Sequence, residues 1–141
     1  LLSVSPEDIN AVAINSSFIH SYADSGDDYI TGYNYQTDAT IVDLDFDDSS
    51  NLLIYEFNDG PTIKKHDGTN VSVVFDNDIA LGSNPGISSG NMIGYNLKHN
   101  NGKIYFNWGK TLFSLDENGS DFRILNSSKD EYHINGIVIT E

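Results

Sequence analysis

The stretch KIYFNWGKTLFSLDENGSDFRIL, residues 103–125, decides the fold. Two bursts of alternating apolar and polar residues, Lys103–Trp108 and Thr111–Leu115, are followed by a break at Glu117-Asn118-Gly119-Ser120-Asp121. Alternation with a period of two marks half-buried strands, because successive side chains leave opposite faces of the backbone. Asn-Gly between such runs marks a hairpin, because Gly takes positive φ without steric cost. The stretch therefore reads as strand, strand, hairpin, strand.

Outward from it the same signals recur. SFIHSY, YITGYNY, TIVDLDFD, NLLIYEF, VSVVF, MIGYNLK, KIYFNW, TLFSL, FRIL and HINGIVIT are short and rich in β-branched and aromatic residues. DSGDD, DDSSN, NDGP, HDGTN, GSNPGISSG, HNNG and DENGS between them have turn composition. These spacings leave no room for the crossover helices of a parallel sheet, so the domain is all-β and antiparallel. The start, over 5–13, has two readings, and one is a short helix, with Ser5 as N-cap, Pro6 in the first turn, Glu7 and Asp8 at the positive dipole end, and Ile9, Val12 and Ala13 as an apolar stripe. A turn leading into a strand is the rival reading of that segment.

Composition bounds the function. The 141 residues suffice for one domain, and 38% hydrophobic and 11% aromatic content exceeds that of a disordered acidic chain. A net charge of -14 repels phosphate backbones and anionic lipid, so nucleic acid is excluded as an expected partner, as is membrane insertion. The absence of cysteine excludes disulfides, thiol catalysis and cysteine-based zinc sites. The chain begins with Leu1 rather than Met, and the expectation is a processed or trimmed product.

The chain also repeats. Ile54-Tyr55 recurs about 50 residues on as Ile104-Tyr105, and Asp67-Gly68-Thr69-Asn70 recurs at a similar spacing as Asn118-Gly119-Ser120-Asp121. VDLDFDDSSN and IGYNLKHNNG are aligned upstream of them. Repeat units are expected at about 40–90 and 91–130, with a weaker one at about 10–39, and HINGIVIT reads as the first strand of another. A period near 50 in an all-β chain points to propeller blades. The expected fold is antiparallel propeller-like blades, about three of them, with a β-sandwich as the alternative.

These units resemble the YWTD-type propeller repeats of the low-density lipoprotein receptor family and related bacterial repeat proteins. The residues carrying the likeness are Asp47, Ile54-Tyr55 and Asp67-Gly68-Thr69-Asn70 in one unit. In the next they are Gly102, Tyr105-Phe106 and Asn118-Gly119-Ser120-Asp121. Asn107-Trp108 stand where the family has Thr-Asp, and Lys98 stands at its strand-end Asp. The resemblance implies a non-catalytic extracellular or cell-surface module that presents loops to a protein or glycan partner. Three units cannot close a ring, so further blades or identical chains are expected as partners. Two alternatives are a lactonase-like propeller enzyme with a metal in its channel and a subunit of an extracellular fibre or coat.

Few residues invite chemistry. Asp43, Asp45 and Asp47 supply oxygens at alternate positions, as a calcium loop does, but Asp48 stands at the loop's Gly and Ile54 at its terminal Glu. As a strand, the segment turns Val42, Leu44 and Phe46 inward and the three aspartates to solvent. That is the expected state, with calcium the alternative and no other cofactor expected. His20, His66, His99 and His133 are scattered, and no GxSxG, HExxH or Walker pattern accompanies them. Tyr105 is expected in the core. Trp108, at a strand end, is the candidate for stacking on a ligand.

Overall fold

A computed structural model describes residues 11–15, 18–22, 30–57, 60–76, 95–108, 111–127, 134 and 136–140. They form eleven strands: β1 Ala11–Asn15, β2 Phe18–Tyr22, β3 Ile30–Gln36, β4 Thr40–Phe46, β5 Leu52–Phe57, β6 Pro61–His66, β7 Val71–Asp76, β8 Asn96–Asn100, β9 Lys103–Trp108, β10 Thr111–Asp116 and β11 Arg123–Ser127. The strands make three antiparallel meanders in chain order: a three-stranded sheet β1-β2-β3, a four-stranded sheet β4-β5-β6-β7, and a four-stranded sheet β8-β9-β10-β11. No helix occurs among the described residues. Of the two readings of 5–13, the strand holds over the part that is described and the helix does not, since Val12 and Ala13 lie in β1; Ser5 to Asn10 are outside the described residues.

The second sheet lies between the other two. In β5 the sequence Leu-Leu-Ile-Tyr-Glu is buried throughout, because both its faces are covered. Leu53 and Tyr55 join Ile63 and Phe75 in one core with Leu97, Ile104, Phe106, Phe113 and Leu115 of the third sheet. Leu52 and Ile54 face the other way and join Ile41 with Ile19 and Tyr33 of the first sheet. Aromatic rings carry much of the contact between the second and third sheets. Phe75 lies 5.0 Å from Phe106 and stacks on Phe122 at 5.3 Å, while Phe106 stacks on Phe113 at 5.1 Å. Each such ring buries enough apolar surface to favour docking by about 1.5–3 kcal/mol.

Registers test the repeat. Leu44 opposes Ile54, and His99 opposes Ile104, so with Ile54 matched to Ile104 the counterpart of Leu44 is His99, and that of Asp43 is Lys98. The alignment of VDLDFDDSSN with IGYNLKHNNG is therefore corrected by four residues, since it placed Leu44 over Tyr95 rather than His99. The cause is the turn. β4 and β5 are joined by the five-residue loop 47–51, whereas β8 and β9 are joined by Asn101-Gly102 alone. Both residues of that pair have positive φ, 48° and 74°, as a type I′ turn requires. Gly68 and Gly119 both adopt positive φ, 96° and 88°. Each follows an Asp or Asn whose Oδ1 accepts the amide two residues on, Thr69 from Asp67 and Ser120 from Asn118.

The first sheet matches the last three strands of the second. Ile19 of β2 opposes Tyr35 of β3 as Ile63 of β6 opposes Phe75 of β7, and an irregularity follows each pair. Tyr35 reaches Glu56 of the next sheet, and Phe75 reaches Phe106, the residue that matches Glu56. Thus β1, β2 and β3 answer to β5, β6 and β7, and β4 has no counterpart in the first sheet among the described residues.

Candidate functional site: a carboxylate seam between sheets

β4 and β8, the first strands of their sheets, lie side by side without forming a ladder. Each has an edge of unpaired backbone groups, which is costly to bury and prone to stray pairing. Asp43 and Asp45 satisfy both edges at once. Asp43 Oδ1 accepts the Leu44 N–H at 2.9 Å, and its Oδ2 accepts the Leu97 N–H at 2.7 Å. Asp45 repeats the arrangement two residues on, with Phe46 N–H at 2.9 Å and His99 N–H at 2.7 Å. The spacing is dictated by the strand period: alternate residues of β4 face β8, and alternate amides of β8 face β4. Charge-assisted bonds of this kind are among the stronger hydrogen bonds in proteins.

The expectation of a solvated acidic face is therefore corrected. Asp43 and Asp45 are half-buried, Asp47 is only 6% exposed, and Phe46, expected inward, is 37% exposed. Asp47 organises the β4–β5 loop. Its Oδ1 accepts the Ser49 and Asn51 amides at 2.9 and 2.8 Å, and its Oδ2 accepts Asn51 Nδ2 at 2.8 Å and meets Lys65 Nζ at 3.0 Å. Burial raises the pKa of its carboxyl, but the bonds from Asn51, Lys65 and Ser49 outweigh it and hold the group below its ordinary value. Among the described residues no group of three or more His, Asp or Glu side chains is arranged to hold a metal ion.

The histidines also serve the backbone. His66 Nδ1 accepts the Gly68 N–H at 3.0 Å, so the proton of the neutral ring is on Nε2, which faces the Asn34 carbonyl oxygen at 3.4 Å. Burial lowers the pKa of His66. His99, its side chain 2% exposed, places Nε2 2.9 Å from Glu117 Oε2 and Nδ1 3.8 Å from Asp48 Oδ1. Between the first and second sheets, Lys64 pairs with Glu56 and donates to the Tyr35 hydroxyl at 2.9 Å. Burial acts to lower the Lys64 pKa, but the bonds to Glu56 and Tyr35 prevail and raise it.

Trp108 ends β9 and is 7% exposed, packed against Phe57, with ring centroids 6.4 Å apart. Its Nε1 has no hydrogen-bond partner among the described residues. Tyr105 is half-buried on the opposite face of the same strand. Sequence reasoning met Asn107 only as a departure from the repeat pattern and gave it no role. The residue is fully buried, its Oδ1 accepts the Asn96 amide at 3.0 Å, its Nδ2 donates to the Ile134 carbonyl at 3.1 Å, and its own carbonyl accepts the Tyr55 hydroxyl at 2.9 Å. The only sequence signal for it was a polar residue inside an aromatic strand. The seam, the loop and this amide together are suited to fastening sheet to sheet. Compared with family models, curated proteins and solved structures, the chain matches none.

Proposed function

We propose that the chain is a propeller-type repeat segment acting as a non-catalytic, extracytoplasmic module that presents its turns to a protein or glycan partner. The observation that carries this reading is the use made of the polar side chains. Asp43, Asp45, Asp47, His66 and Glu56, the groups most suited to acid–base or metal chemistry, are engaged with amides, a loop or a lysine between sheets. A fold whose titratable groups fasten its own backbone leaves its turns and outer strands for recognition. The outermost strands expose Val71, Val73, Ile124 and Leu125, which adds an apolar component to an acidic surface. The stacking of three sheets, with the first strands of the second and third side by side, supports the propeller arrangement, and the extracytoplasmic setting rests on the YWTD-type resemblance.

The test is a paired screen. Immobilised chain is exposed to a glycan array and to a set of extracellular domains, and the same preparation is assayed against lactones and esters with and without calcium. Saturable binding without turnover is expected. Metal-dependent lactone hydrolysis overturns the reading in favour of the lactonase-like enzyme. Ordered polymer in electron micrographs, with no binding, favours the fibre or coat subunit.

A further inference from the structure

We propose that Asn101 is a site of spontaneous backbone modification, at which the Gly102 nitrogen displaces the side-chain amide and leaves aspartate and isoaspartate in the β8–β9 turn. The inference does not depend on the binding reading above.

The chain holds three Asn-Gly pairs, Asn101-Gly102, Asn118-Gly119 and Asn135-Gly136, and Asn135 lies outside the described residues. Asn-Gly is the dipeptide in which this chemistry meets least hindrance, because Gly carries no Cβ beside the attacking nitrogen. The Gly102 nitrogen adds to Asn101 Cγ, its proton passes to the departing side-chain amide, and ammonia leaves a cyclic imide behind. Water then opens the imide. Breaking the bond from the nitrogen to Cγ gives aspartate in an ordinary backbone. Breaking the bond from the nitrogen to the main-chain carbonyl carbon gives isoaspartate, whose backbone runs through the side chain and is longer by a methylene. Either route takes up one water and releases one ammonia.

Asn101 and Asn118 are both exposed, so access to water does not separate them. Hydrogen bonding does. The Gly119 N–H donates to the Asp116 carbonyl at 2.8 Å, and Asn118 Oδ1 accepts the Ser120 amide at 2.9 Å and the Ser120 hydroxyl at 2.6 Å. Attack there must first break these bonds, at a glycine already pressed against the Val74 carbonyl. Neither the Asn101 side chain nor the Gly102 N–H makes a hydrogen bond among the described residues, and a Cβ placed on Gly102 would meet nothing within 4 Å. The pair also caps the end of the β8–β9 ladder, where the local opening that brings the nitrogen to Cγ costs least.

The product acts on the seam between sheets. The turn closes with Asn100 opposite Lys103, a geometry that a two-residue loop fits and an added methylene does not. The Gly102 carbonyl accepts the Glu117 amide at 2.9 Å, Glu117 Oε2 meets His99 Nε2 at 2.9 Å, and the His99 amide donates to Asp45.

Trypsin places the two described pairs on separate peptides, 99–103 and 111–123. The folded chain is incubated in neutral buffer, beside a sample unfolded in urea, and digested at intervals. Mass spectrometry with fragmentation that tells isoaspartate from aspartate reads each peptide. In the folded chain Asn101 is expected to be modified about tenfold faster than Asn118, the factor that the bonds at Gly119 impose. In urea the two rates should converge. The Asn101 product should contain isoaspartate, and chains that carry it should lose hydrogen-exchange protection at the Glu117 amide. Equal rates in the folded chain overturn the proposal, as does faster modification of Asn118. A product at Asn101 that is aspartate alone also overturns it, because that marks direct hydrolysis by water. A Glu117 amide that stays protected beside isoaspartate overturns the action on the seam.

Discussion

Gly119 is held at φ 88° with the carbonyl oxygen of Val74, from the neighbouring sheet, so close that a Cβ would lie 2.5 Å from it. Gly102 shares the left-handed backbone, φ 74°, but faces open space. Both alanine variants suffer the left-handed strain of about 1 kcal/mol. Gly119→Ala in addition forces one sheet off the other. Chemical denaturation should show Gly119→Ala destabilised by clearly more than Gly102→Ala, and equal losses would mean that the hairpin does not touch β7. These glycines were legible in the sequence because turn chemistry is local: Asp or Asn followed by Gly sets its own geometry. His66 was not legible. Its role depends on Asn34, which the chain brings to it across the sheet boundary. Burial lowers its pKa from the ordinary 6.5, so the unfolded chain binds the proton more readily than the folded one. Its contribution is therefore present above about pH 6.5 and is lost as pH falls below it. Urea melts at pH 7.5 and pH 5 should show a smaller acid loss of stability for His66→Gln than for the wild type.

At the scale of the element, β4 shows both the reach and the limit of pattern reading. Its alternation announced a strand, and a strand it is. The outward side was assigned to water because nothing in a single strand says what stands opposite. In the folded chain the edge of β8, more than 50 residues away, stands there, and the aspartates act as its missing ladder partners. The replacement of a five-residue loop by Asn101-Gly102 was likewise hidden, since a turn of either length carries the same Asn, Asp and Gly signature. Asp45→Asn replaces an acceptor oxygen by a donor against the Phe46 or the His99 amide. It should cost about 1–3 kcal/mol, whereas Asp48→Asn, at a side chain 69% exposed, should stay within about 0.5 kcal/mol. The same aspartates predict the response to calcium. With their oxygens committed to amides, calcium should raise the melting temperature no more than magnesium at equal ionic strength. A large calcium-specific rise, abolished in Asp45→Asn, would contradict that assignment.

At the scale of the whole molecule, the all-β antiparallel architecture was legible because a stacked sheet must bury apolar side chains against its neighbours. The same aromatic strand, Leu-Leu-Ile-Tyr-Glu in one unit and Ile-Tyr-Phe-Asn-Trp in the next, therefore recurs at a similar place. What fastens the units was not legible, because it changes from seam to seam: Tyr35, Glu56 and Lys64 between the first and second sheets, paired carboxylates and phenylalanines between the second and third. Lys98 and Asn100 of β8, which answer to Asp43 and Asp45, do not repeat the double carboxylate. The central claim is that the second and third sheets are joined where the carboxylates of β4 satisfy the amides of β8. Amide hydrogen exchange read residue by residue tests it most directly. The Leu97 and His99 amides, which lie on a strand edge with no backbone partner, should be protected nearly as well as the ladder amides of β9, and should lose that protection selectively in Asp43→Asn and Asp45→Asn. Exchange of both amides in the wild type at the rate of an open edge would contradict it.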